Sequence, residues 1–125
     1  MRLLRSSALL APMLLAGCAV STAGGERLKL RSAQFRDYVE GVFREQNRVA
    51  DALAFELEAP GAASAELAAA EDELLGACAG VNELATARRD NRRLGIGRSV
   101  RAARSVPDCE RATRAAETRL ARPPR

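Results

Sequence analysis

Three cysteines, one lysine and no histidine limit the chemistry open to this 125-residue chain. Without imidazole there is no Ser–His or Cys–His pair and no histidine metal ligand. A Ser–Lys pair would have to use Lys29, the sole lysine, which stands near the amino-terminal segment and outside any evident pocket. Glu71, Asp72 and Glu73 are consecutive, and neighbours on a helix diverge by roughly 100°, so they cannot converge on one calcium ion or one glycosidic bond. They read as a solvated face. Gly95-Ile96-Gly97 lacks the lysine and the strand-to-helix setting of a phosphate loop and reads as a hinge. These exclusions point away from an enzyme, and neither a cofactor nor a metal is expected.

The stretch SSALLAPMLLAGCAV, residues 6–20, accounts for the first cysteine. Arg2 and Arg5 precede an apolar block from Ala8 to Ala16 that ends in small residues, the layout of an export signal. The block is too short to span a bilayer, which takes ~20 apolar residues. Leu15-Ala16-Gly17-Cys18 resembles the lipobox of bacterial lipoproteins. That resemblance implies cleavage between Gly17 and Cys18, a thioether-linked diacylglycerol on Cys18, and acylation of the new amino terminus. The absence of Asp from the following Ala19-Val20 implies delivery to the periplasmic face of the outer membrane. Each buried acyl methylene contributes roughly 0.8 kcal/mol, so two or more chains hold a protein on a membrane durably. The resemblance covers the segment up to Val20 and is silent on the rest. The expected organisation is a signal peptide over 1–17, a lipidated cysteine with a flexible Gly-rich tether over 18–25, a helical domain over 26–122, and a tail over 123–125.

The mature chain must then supply the elements. Aromatic residues make up 3% of the sequence, with no Trp, so the core is thin and a large enclosed cavity is not expected. From Glu26 to Glu58, Leu28, Phe35, Val39, Val42, Val49, Leu53 and Leu57 recur at helical spacing. Pro60-Gly61 breaks that helix, and a second is expected from a Ser64 cap to about Arg88, antiparallel to the first. Residues 88–107 carry Gly95 and Gly97 and read as a linker with partial helix. A third helix is expected from Asp108, after Pro107, to Ala121, ahead of Pro123-Pro124. The fold class is all-α, a small three-helix bundle. Only Leu120 is large on the third helix's apolar stripe. Cys78 and Cys109 both fall on inward stripes in a disulfide-permissive location, so a bridge between them is expected to staple this helix to the second. Leu30 and Phe55 lie off the main stripe of the first helix; they are expected to be covered by the third helix or the linker, and mark a partner surface if exposed.

Charge is divided along the chain. Residues 26–87 carry six basic and twelve acidic side chains, and residues 88–125 carry twelve arginines against four acids. The basic segment either folds over the acidic one, or Arg88, Arg89, Arg92, Arg93, Arg98, Arg101 and Arg104 face an anionic partner such as lipid A phosphates, phospholipid headgroups or an acidic protein. Nucleic acid is not expected, because export removes the chain from it. The expected function is that of a non-catalytic binding or adaptor protein, held on the membrane by its lipid and acting on an envelope partner, itself expected to be a protein. Two narrower expectations stand beside it. Size, lipid, helices and a disulfide are similar to those of helical pilotins, which implies escort of a secretion-system subunit; alternatively the arginine-rich segment binds lipid A or anionic lipid.

Overall fold

The computed structural model describes residues 18–59 and 65–122. The expected signal peptide with Leu15-Ala16-Gly17, the expected Pro60-Gly61 breaker and Ser64 cap, and the expected 123–125 tail lie outside the described residues. The elements are β1 (Ala19–Ser21), β2 (Arg27–Lys29), α1 (Ala33–Glu58), α2 (Ala65–Arg89) and α3 (Ile96–Leu120). The three helices form the expected all-α bundle, with one two-stranded sheet added to it.

That sheet corrects the reading of residues 18–31. The expected tether is an antiparallel hairpin in which Val20 pairs with Leu28. Thr22 N–H donates to the Glu26 carbonyl at 2.8 Å, leaving Ala23-Gly24-Gly25 as a three-residue loop. Gly25 sits at φ 89°, the left-handed position that such a loop gives to glycine. Arg27, Leu28, Lys29, Leu30 and Arg31 alternate polar and apolar, which is the period of a strand and not of a helix. Helix α1 therefore starts later than expected, at Ala33, where the Ser32 hydroxyl accepts from the Phe35 N–H at 3.1 Å.

The region 96–107 is the second correction. It is continuous helix, and Pro107 lies inside α3. Proline in a helix interior forfeits a hydrogen bond and costs ~3 kcal/mol. Tertiary packing offsets this: Ala102, Ala103, Val106 and Pro107 are all buried. The partner surface is α2, where Gly80 allows the close approach. A Cβ there would stand 3.1 Å from Ala102 Cα and 3.3 Å from the Ala102 carbonyl oxygen.

The expected bridge is present. Cys78 and Cys109 are disulfide-bonded with their Cα atoms 4.5 Å apart, and both are buried. Val49, Leu53, Leu74, Val81 and Val106 are the large groups fully removed from water around it. Buried polar groups are few and paired: Gln46 Nε2 donates to Asn82 Oδ1 at 2.9 Å, and the Thr113 hydroxyl donates to the Cys109 carbonyl at 2.8 Å. The acidic and basic halves do meet, antiparallel, in pairs of Arg98 with Glu83, Arg119 with Glu73 (3.0 Å) and Arg122 with Glu66 (3.2 Å). Tyr38–Glu110 and Arg48–Glu117 contacts set α1 parallel to α3, so the bundle runs up, down, up.

Candidate functional site

Cys18 is exposed at the start of the hairpin. Its carbonyl accepts from the Leu30 N–H at 3.0 Å, which extends the ladder one pair beyond β1. Cross-strand partners project to the same face, and side chains two apart share a face. Cys18 therefore emerges beside Leu30, on the face that also carries Val20 and Leu28.

Leu30 lines an open groove of about 690 Å³ between the first half of α1 and the last turns of α2. Phe35, Val39 and Phe43 stand four apart along α1 and form one wall; Leu84 and Ala85 of α2 form the other. Arg36, Glu40, Arg88 and Arg89 rim it. Because α1 and α2 are antiparallel, Arg36, Arg88 and Arg89 gather toward the Leu30 end, whereas Phe43, Leu84 and Ala85 leave the far end apolar. Phe55 is separate from this surface and is 73% exposed. Of the two off-stripe residues, Leu30 is thus partly covered and Phe55 is not.

A second hollow of about 370 Å³ lies where α2 passes into α3, and its lining includes Leu84, Arg88, Asn91, Arg92, Arg93 and Ser99. Leu84 and Arg88 line both hollows, so the two adjoin. The local chain explains the shape. Arg92 N–H donates to the Ala87 carbonyl at 2.8 Å and Asn91 N–H to the Arg88 carbonyl at 3.2 Å, with Asn91 at φ 54°. This is the reversal that commonly ends a helix, with Asn in the left-handed position. It turns Arg92 and Arg93 back beside Arg88.

All seven arginines named from the sequence are exposed, but the structure divides them. Arg88, Arg92 and Arg93 share the hollow and Arg89 stands at its edge on the groove. Arg98 is paired with Glu83, and Arg101 and Arg104 lie on α3 outside both linings. Asp90 takes Arg89 at 3.2 Å and Arg92 at 3.6 Å. Among the described residues, Arg88 and Arg93 have no carboxylate within 4 Å. The groove itself is absent from the reading of the sequence. The signals for it were the 35, 39, 43 spacing beside Leu30 and the Asp90-Asn91 helix stop.

A third depression, lined by Tyr38, Glu110, Thr113 and Arg114 among others, is a structural lock. One Glu110 carboxylate oxygen accepts from the Tyr38 hydroxyl at 2.6 Å and from the Ala23 N–H at 3.3 Å. It thereby ties the hairpin and α1 to α3. Burial first, and then the bond to Glu110, push the Tyr38 phenol well above its ordinary range. Lys29 is exposed on β2, and Glu73 of the carboxylate triplet is engaged by Arg119. Among the described residues no group of three or more Cys, Asp or Glu is assembled that could hold a metal ion, and no helix is long and apolar enough to cross a membrane. Compared with protein-family models, curated proteins and solved structures, the chain matches none, so its function must be read from this geometry.

Proposed function

We propose that the protein is a lipid-anchored, non-catalytic binding module of the outer membrane's periplasmic face, an adaptor for an envelope component. The observation that carries this reading is the position of Cys18, exposed and pinned by a backbone hydrogen bond to Leu30, a residue that lines an apolar groove. A diacylglycerol on that sulfur would hold the groove close to the bilayer, with no slack chain between them. Anchoring raises the local concentration of any envelope partner, so modest contacts suffice for occupancy. The groove is open and apolar, without a nucleophile–base pair facing it, which suits binding more than bond-making. A pilotin-like escort would use the same groove to take an amphipathic helix of a secretion-system subunit.

Labelling with radioactive palmitate, followed by membrane fractionation and crosslinking in cells, tests the reading. Wild type is expected to carry label, to sediment with outer membrane, and to capture a defined envelope component. Cys18→Ser is expected to lose the label and the membrane association. A wild-type chain without label, or a Cys18→Ser variant that labels and sediments as wild type does, refutes it.

A further inference from the structure

We propose that the groove and the arginine-lined hollow are one site, which binds an anionic phospholipid-like amphiphile with its acyl chain along the groove and its phosphate on Arg88, Arg92 and Arg93. The proposal names the partner of the binding module described above, and rests on that reading for where the ligand is met.

Four observations carry it. The two hollows share Leu84 and Arg88 in their linings, so an apolar trough and a cationic one lie side by side. Each lies within the range of ~300–1,000 Å³ typical of small-ligand sites. The charge on the groove is net cationic, three arginines against Glu40, and Phe43, Leu84 and Ala85 add none, which matches a ligand with one anionic head and one apolar tail. Finally, Arg88 and Arg93 lack a carboxylate partner among the described residues, and guanidinium presents paired N–H donors that fit phosphate oxygens. Asn91 adds a neutral amide to the same hollow. Glu40 on the groove rim and Asp90 beside Arg92 oppose an anion, but neither is ion-paired with Arg88 or Arg93. A partner helix would suit charges distributed along both edges of the groove better than charges gathered at one end.

The test uses the lipidated protein purified from its own membranes in a non-ionic detergent, titrated with lysophosphatidylglycerol and followed by native mass spectrometry. The comparators are a maltoside of equal chain length, inorganic phosphate, and an acidic amphipathic helical peptide. One saturable lysolipid per chain is expected, with neither maltoside nor phosphate reproducing it. Arg88→Glu with Arg93→Glu is expected to weaken binding at least about tenfold, since two charge-assisted contacts are lost. Arg101→Glu with Arg104→Glu makes the same change in net charge outside the site and is expected to leave binding within about twofold, which corresponds to ~0.4 kcal/mol. Both pairs are exposed, and unchanged thermal unfolding verifies that each variant folds.

Equal weakening by the two double variants overturns the proposal, as does equal binding of the maltoside. Binding of the peptide with no lysolipid adduct also overturns it and assigns the groove to a protein. Palmitate on Cys18 is read independently. A labelled chain that takes no lysolipid refutes the amphiphile alone, and an unlabelled chain that binds lysolipid refutes the anchor alone.

Discussion

Replacing Cys78 and Cys109 together by alanine should be the most damaging pair of small substitutions in this domain. The bridge spans 31 residues of sequence, and closing a loop of that length removes roughly 3.7 kcal/mol of unfolded-state entropy at 25 °C in the chain-entropy model. Little else compensates on α3, whose buried set is Ala102, Ala103, Val106, Pro107, Cys109, Thr113 and Ala116, mostly small side chains. Domains of this size are stable by only ~5–15 kcal/mol in total. The melting temperature should therefore fall by on the order of 15–30 °C, measured by circular dichroism on the double variant beside wild type with and without dithiothreitol. Both sulfurs are buried, so reduction should be slow in buffer and fast once urea opens the α2–α3 pair. A drop of less than about 5 °C, against a wild type whose intact bridge is verified by mass, would refute the reasoning. It would mean that the reduced unfolded chain stays compact, or that packing between α2 and α3 carries the stability without the covalent link.

The glycines offer an opposed pair. Gly80→Ala forces a Cβ against the Ala102 backbone and should destabilise by ~1–3 kcal/mol, whereas Gly41→Ala meets nothing within 4 Å in mid-α1 and should stabilise by roughly 0.5–1 kcal/mol; urea titrations of both variants read the signs. Tyr38 sets an alkaline limit. Its phenol is held protonated in the native state by burial and the Glu110 bond, so its contribution is fully present below the ordinary tyrosine pKa and declines above about pH 10, where only the unfolded chain ionises. Tyr38→Phe should cost ~1 kcal/mol at neutral pH through the lost hydrogen bond and should flatten this alkaline decline when stability is measured across pH 8–11.

Much of the bundle was legible in one dimension. The 3.6-residue spacing of Val42, Val49 and Leu53, and of Leu74, Cys78 and Val81, located α1 and α2 and placed Cys78 inward, as the structure has it. The misreadings have specific causes. In residues 27–31 a short period-two alternation was absorbed into a longer helical pattern, although Ser32 marked where the helix begins. In residues 96–107 the local signals of Gly95, Gly97 and Pro107 argue against helix, and they are outweighed by burial of Ala102, Ala103 and Val106 against α2, which a stripe of small residues hardly announces. The arginines could be named but not sorted, because sequence order does not show that Glu83 stands beside Arg98, or that the turn at Asn91 brings Arg92 and Arg93 to Arg88.

What the sequence determines by itself is therefore whatever local chemistry settles: the absence of histidine, the residues flanking Cys18, the helical periodicity, and the opposite charge of the two halves. Only the tertiary structure decides that Cys18 emerges next to Leu30, that Gly80 lets α2 and α3 approach closely, and that an apolar groove lies beside a cluster of arginines. Periodicity and charge are properties of near neighbours along the chain. A groove is the space left between two helices, and its walls come from residues more than forty positions apart, such as Val39 and Leu84, which packing alone brings together.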